Sequence, residues 1–403
     1  MHGAQEKSES AGRAQAKPPA QAGPGVQEAA QATGNDRLTR LFLCGDLMSG
    51  RGVDQILAEP SEPRLFEPFV RSAVEYVRLA EAAAGPLPRH VADDYIWGAA
   101  LQALERFHPC VRIVNLETAV TRSAQPDADK QIHYRMHPAN IGCLRAGKIH
   151  CCVLSNNHVL DWGRSGLEET LQSLHGAGIA TAGAGSDARA AAAPAMIALP
   201  GAARLLIYGV AVASSGVPQA WQAAGNHSGV NWLDSASTDG AERLARRIAS
   251  DRRPADRVIV SIHWGGNWGY HVAREERAFA HWLIDHGGVD LVHGHSSHHP
   301  KGLEVYRDKL ILYGCGDLLN DYEGIGRYER FRPDLALMYL PQLDERTGGL
   351  HSLELVPMRI HRLQLQEASA QDADWLAEVL DRESRGWGAR VRSEGKGMLT
   401  VAW

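Results

Sequence analysis

The sequence predicts an α/β fold, and three observations carry that prediction. Short β-rich runs alternate with longer amphipathic patterns from Leu38 to about Leu365. Five of those runs end on a polar or ionisable group, and open α/β sheets collect their sites at the carboxyl ends of strands. The chain has 403 residues, 44% of them hydrophobic, enough to bury the core of one large α/β domain or two modest ones.

Residues 1–36 are Ala, Gln, Gly and Pro with scattered charge, and Val26 is their only large aliphatic residue after Met1. Such a segment cannot bury enough surface to offset its ordering entropy, so it reads as a disordered tail. It lacks the apolar core of a secretory signal. Residues 195–212, the most apolar stretch, are broken by Pro200-Gly201 and Arg204. With no integral membrane span expected either, the expected location is cytoplasmic.

The run 41–44 ends at Gly45-Asp46, 111–114 at Asn115, 151–154 at Ser155-Asn156, 258–262 at His263, and 289–292 at His293. Between them, residues 166–174 place Leu167, Leu171 and Leu174 on one helical face, with Gly176 as a stop. Residues 273–286 likewise group Phe279, Trp282 and Leu283 before Gly287-Gly288. Strand patterns return at 303–306, 310–313, 335–340 and 350–355. The piece 372–381, with Trp375, Leu376, Val379 and Leu380 on one side, is either a docking helix or a mobile lid. The chain therefore divides into a tail (1–36), a main domain (37–365) and a C-terminal helix and tail (366–403).

Composition narrows the function. The 42 basic and 47 acidic residues give a net charge of −5, which argues against a nucleic-acid binder. Six cysteines form no CxxC pair, so a zinc ribbon or disulfide scaffold is not expected and the thiols read as reduced core residues. Eight of the 19 histidines fall between His263 and His299. Asp46, Glu117, Asn156-Asn157-His158, His263, His293-Gly294-His295 and His298 together offer carboxylate, amide and imidazole groups at strand ends. That donor set suits a hydrolytic divalent metal site for Mn, Fe or Zn. Within residues 154–163, Asn157 offers an amide oxygen while His158 projects toward substrate. Asp161 is placed to fix the tautomer of His158 and raise its pKa for general-acid work, or else to cap the helix that follows. His133 and His137 read as exposed residues without a role.

These segments resemble a known family. Gly45-Asp46-Leu47-Met48-Ser49-Gly50-Arg51, Asn115-Leu116-Glu117, Asn156-Asn157-His158 with Asp161 and Gly163, and His263-Trp264-Gly265 are similar to signatures of the CapA family of capsule-synthesis proteins. So are Gly294-His295-Ser296-Ser297-His298, Gly302–Tyr306 and Lys309–Tyr313. The resemblance implies a domain like the calcineurin-like metallophosphoesterases: a four-layer αββα sandwich of two mixed sheets flanked by helices. It also implies an association with poly-γ-glutamate or capsule synthesis.

Carried over residue by residue, the resemblance implies Asp46, Asn157, His263, His295 and His298 as metal ligands. Glu117 stands at the place of a bridging aspartate, and His158, with Asp161, is the acid on the leaving group. Arg51 is expected to grip an anionic substrate, for which a guanidinium suits phosphate and carboxylate alike. Met48 stands where the phosphoesterases carry a second histidine ligand, and a thioether does not serve a hard divalent ion. One ion, held by His263, His295, His298 and a carboxylate, is therefore the firmer expectation, with two as the fuller one. Asp317 replaces a more usual asparagine, as an extra ligand, a substrate contact or a group that raises a nearby histidine pKa. Trp264 and Asn267 are candidates to line a substrate pocket, the same loop being equally readable as a hydrophobic plug.

The expected activity is a metal-dependent, phosphoesterase-like hydrolase using a metal-activated water and His158 as general acid. The alternative is a non-catalytic, metal-assisted binder of poly-γ-glutamate or a related anionic polymer. In both, the partner is an anionic small molecule or polymer.

Overall fold

The computed structural model describes residues 38–199, 203–395 and 397–403. The tail expected at 1–36 and the break at Pro200-Gly201 lie outside the described residues. Six strands position the site: β1 (Leu38–Leu47), β2 (Val111–Leu116), β3 (Cys151–Val153), β4 (Arg257–His263), β5 (Leu291–His295) and β6 (Asp317–Leu319). A ten-stranded mixed sheet holds β1, β2, β3 and β6, with β2 parallel to both β1 and β3 and β6 parallel to the end of β1. A seven-stranded sheet holds β4 and β5, which run parallel to each other.

Strand alternation builds the layers. Leu41 and Leu43 of β1, Ile113 of β2 and Val153 of β3 meet Ile207, Ile259 and Leu291 of the second sheet in one inter-sheet core. The intervening residues Phe42, Cys44, Val114 and Cys152 face the opposite way, into a core shared with the helix α1 (Gly163–Gly176) through Leu167, Leu171 and Leu174. Val258, Val260 and Val292 face outward on the second sheet, against Phe279 and Leu283 of α2 (Arg274–Gly287). Because side chains point to opposite faces at a period of two, both sheets bury both faces, which is why their central strands read as continuous apolar runs. The result is the helix–sheet–sheet–helix sandwich that the resemblance implies.

The sheets touch backbone to backbone at Gly183 and Gly209, where a Cβ on Gly209 would lie 2.7 Å from the Gly183 Cα. Any side chain there would wedge the sandwich apart. The C-terminal piece is a docking helix: α3 (Ala370–Ser384) places Leu376, Ala377 and Leu380 in the inter-sheet core. The strands Arg390–Ser393 and Leu399–Ala402 then extend the ten-stranded sheet at its edge. Among the described residues no helix is long and apolar enough to cross a membrane.

Candidate metal centre

Strand register assembles the site. In β4 and β5 the parallel register sets His263 beside His295, and their Nδ1 atoms lie 2.7 Å apart. In the first sheet, Asp46 is flanked by Asn115 of β2 and Asp317 of β6. Gly45 makes that second contact possible, since a Cβ there would sit 1.7 Å from the Gly316 carbonyl oxygen. The Asp46 N–H donates to that carbonyl at 3.0 Å. Side chains from both sheets thus converge where their strands end.

Asp46 is fully buried, and one of its oxygens is provided for: Oδ1 accepts from Asn115 Nδ2 at 2.7 Å. The same amide nitrogen donates to Glu117 Oε2 at 3.1 Å, so one NH2 group stands between two carboxylates. Asp46 Oδ2 is buried and has no hydrogen-bond partner among the described residues. Burial, with Asp317 second, pushes the Asp46 carboxyl up to about 7. Burial and then Asp46 raise Glu117 well above the usual carboxylate range. A protein interior rarely leaves a carboxylate oxygen unanswered.

Imidazoles face that oxygen. Asp46, His263 and His295 form one group whose donor atoms lie within 4.8 Å of one another, and Asp46, His298 and Asp317 form a second. Asn157 Oδ1 lies 3.1 Å from His263 Nε2, and Glu117 Oε2 lies 3.9 Å from the same nitrogen. Burial holds His263 and His295 well below the ordinary histidine range, and so neutral, as metal ligation requires. Burial also disfavours the His298 imidazolium, but Asp317, 2.8 Å from its Nδ1, and Asp46 carry that histidine above the ordinary range. Asn267 Nδ2 lies 3.1 Å from His298 Nε2, so the loop residue steadies a histidine. The buried Asp/His donors and the partnerless Asp46 Oδ2 fit a divalent cation, and two groups sharing one carboxylate offer places for one ion or two.

The acid side lies next to this cluster. His158 Nδ1 is 2.6 Å from Asp161 Oδ2, which also accepts from the Tyr134 backbone N–H at 2.7 Å. His158 Nε2 is 3.9 Å from Glu117 Oε1. Asp161 lies against the ring at Nδ1, but the expected rise in the His158 pKa is reversed. Burial, then Lys130 and His298, push His158 well below its ordinary value, and burial lifts Asp161 to about 7. Desolvating a buried pair disfavours both charges together.

Two expected substrate contacts are corrected. Arg51 is buried, its Nε and NH2 on Asp321 at 2.8 and 2.5 Å and its NH1 on Glu67 at 3.0 Å. Tyr76 and Tyr134 pack against the guanidinium at 3.6 and 4.4 Å. Its fork is spent on carboxylates of its own chain. Trp264 is 1% exposed and lies in the helix-side core, stacked with Tyr313 and donating to the Tyr313 carbonyl at 2.9 Å. The plug reading of that residue holds. Trp268, four positions later, is the tryptophan of that loop beside the site, tilted over His298 at 5.4 Å and stacked on Tyr328 at 3.9 Å.

His133 is buried rather than exposed, with Nε2 2.9 Å from the Asp127 carbonyl. His293 is a strut between the sheets: Nε2 donates to the Cys44 carbonyl at 2.8 Å and Nδ1 accepts from Ser261 Oγ at 2.9 Å. Asn115, Ser261, Lys130 and Asp321 also take part in the site or its support. Asn115 sits in a quoted motif and at a strand end, which was a usable signal. Lys130 and Asp321 lie in loops without periodicity and carry no local mark.

The chain is similar to several known proteins. A probable polyglutamine synthesis accessory protein of Mycobacterium tuberculosis is 47% identical over 370 residues, covering 91% of this chain and 97% of that protein. The PGA biosynthesis protein CapA of Bacillus subtilis is 25% identical over 337 residues, covering 81% of this chain and 73% of its own. A solved structure described as a novel phosphatase from Mycoplasma pneumoniae aligns over 80% of this chain and 94% of its own, at 12% identity and a TM-score of 0.41. The family described as bacterial capsule synthesis protein PGA_cap matches residues 40–322, which include every expected ligand, and the chain belongs to that family.

Proposed function

We propose that this protein is a metal-dependent hydrolase of phosphate esters or related anionic substrates, acting in poly-γ-glutamate or capsule synthesis. The partnerless, buried Oδ2 of Asp46 among three histidines carries the reading. Asp46, His263, His295 and His298 would hold the ion, with Asn157, Glu117 and Asp317 within reach of the same cluster. A bound Mn, Fe or Zn supplies a charge that acidifies water and offsets negative charge developing on the substrate.

The chain's own residues supply the rest. Asp161, locked by the Tyr134 N–H, aims the His158 ring so that Nε2 faces the cluster. Burial keeps the imidazole neutral and lifts Asp161 to about 7, which favours a carboxyl proton facing Nδ1 across the 2.6 Å contact. His158 gives its Nε2 proton to the leaving oxygen as the Asp161 proton passes to Nδ1, so the ring ends neutral and Asp161 ends ionised. The Asn267 and Asp317 contacts keep the His298 ring fixed while substrate enters.

The test is elemental analysis of the purified chain beside hydrolysis of an aryl phosphate and an aryl phosphodiester with added Mn or Zn. The reading requires at least one ion per chain and turnover that falls by about 10²- to 10⁴-fold in His158→Ala. The names of the relatives, an accessory protein and a biosynthesis protein, favour a second reading in which the same site binds an anionic polymer without turnover. Bound metal with no hydrolysis of any ester would select it. A chain that takes up no metal sinks both.

A further inference from the structure

With Arg51 sealed by its own carboxylates, the site needs another cation to meet an anion, and the structure offers Lys130. Its loop is pinned at several points. Asp127 N–H donates to the Asp161 carbonyl at 2.8 Å, Trp221 Nε1 donates to Asp127 Oδ2 at 2.7 Å, and Lys130 N–H donates to the Asp127 carbonyl at 3.3 Å. The side chain runs from that turn toward the acid pair. Its Nζ donates to the Asn157 carbonyl, lies 3.4 Å from Asp161 Oδ1, and sits 5.3 Å from the centroid of the Trp221 ring.

An ammonium has three N–H donors. The Asn157 carbonyl engages one, Asp161 Oδ1 stands off at ion-pair distance, and among the described residues no other acceptor takes an N–H. The Lys130 side chain is 17% exposed, against 2% for Arg51, so it meets solvent where Arg51 does not. It stands next to His158 in space, tied to the backbone of the preceding residue and to the carboxylate that orients the imidazole.

We propose that Lys130 is the anion-recognition residue of the site, presenting its free N–H to a phosphoryl or carboxylate oxygen of the substrate beside His158. The assignment rests on the hydrolase reading for what happens next, but not for binding. An ammonium is a point charge without the planar preference of arginine, so it accepts either kind of oxygen. The Trp221 face shields one side of it and leaves the other for the ligand.

The experiment uses the full chain loaded with metal, as wild type, Lys130→Met and Lys130→Arg, with metal content and melting temperature recorded for each. Binding of inorganic phosphate and of glutarate is titrated by calorimetry, and kcat and KM are measured on an aryl phosphate. Lys130→Met should weaken the bound anion by about tenfold or more, as expected for a hydrogen bond to a charged group. KM should rise more than kcat falls, and Lys130→Arg should restore binding to within a few fold. Phosphate binding alone names a phosphoryl oxygen, and glutarate binding alone names a carboxylate.

Unchanged anion binding in Lys130→Met with metal retained overturns the assignment. So does a fall in kcat alone that arginine does not rescue, because that marks a structural role through Asp161 and Asn157. So does a wild type that binds neither probe. If Lys130→Met melts early, Lys130→Gln, which keeps a donor for the Asn157 carbonyl, carries the same test. Lysine-dependent binding without turnover keeps this assignment and sinks the hydrolase, whereas turnover indifferent to Lys130 does the reverse.

Discussion

Asp46 and Arg51 lie five residues apart, both buried and both charged in kind, yet their surroundings differ in one decisive way. Around Arg51 each charge is answered within the chain: Asp321 takes two of its N–H groups, Glu67 a third, and Asp321 Oδ2 also accepts the Gly52 N–H at 2.8 Å. Around Asp46 the accounting stays open. One oxygen has an amide and the other has no hydrogen-bond partner among the described residues, with a second carboxylate and neutral imidazoles crowding in. A closed cluster of buried charges is a strut. An open one at strand ends awaits a ligand, because leaving it unanswered costs free energy that only function justifies.

The largest expected effect tests the closed cluster. Asp321→Ala strands the Arg51 guanidinium in the interior and should destabilise the fold by about 3–5 kcal/mol. Urea unfolding would show this as a lower midpoint at unchanged slope. A loss under about 1 kcal/mol would mean that Arg51 is not tied down, and would return it to the list of substrate contacts.

The next effect tests the open cluster from the other side. Added Mn or Zn, at a free concentration a hundredfold above its dissociation constant, should stabilise the wild type by about 2.7 kcal/mol. Asp46→Asn should gain little from the same ion, and chelation should reverse the gain in the wild type. An equal shift in both proteins would place the ion away from Asp46.

The same contrast explains what the sequence made legible. Asp46 and His263 stand at the ends of β-rich runs and His295 two residues past a third, so the strand pattern marked the region and the family resemblance named the ligands, which parallel register brings together. The pairing of Arg51 depends on Asp321, 270 residues away, and no local pattern encodes such a partner. Trp264 and Trp268 share a loop and a composition. The first faces the helix layer and the second faces His298, and only the path of the Gly265–Tyr270 turn, with Gly265 at φ 70° and Gly269 at φ 111°, decides which. The C-terminal helix was equally opaque, since an amphipathic face announces burial without naming what covers it.

A smaller effect separates the clusters in the metal-free chain. Burial raises the Asp46 carboxyl from 3.8 to about 7, so the folded chain keeps a proton that the unfolded chain has released. The stability this proton supplies is complete at low pH and is lost as pH rises through that interval. With chelator present, Asp46→Asn should therefore be the more stable protein above neutrality, by about 1 kcal/mol, and the difference should shrink toward pH 4. Melting curves at several pH values would show it, and a wild type that outlasts the variant at pH 8 would mean that Oδ2 has a partner after all.

The smallest effect is the control for both. Arg246 and Glu242 form an ion pair of 3.4 Å on the surface, 68% and 47% exposed. Its charges are paired like those of Arg51, but they remain in water, so pairing adds little beyond what hydration already supplies. Glu242→Gln should change stability by less than about 0.5 kcal/mol, and salt should erase even that. A larger, salt-resistant loss would mean that pairing alone stabilises this fold, and the distinction between the Arg51 and Asp46 clusters would then reduce to a count of charges. A negligible loss leaves burial as the condition under which an answered charge holds the fold and an unanswered one calls for a metal.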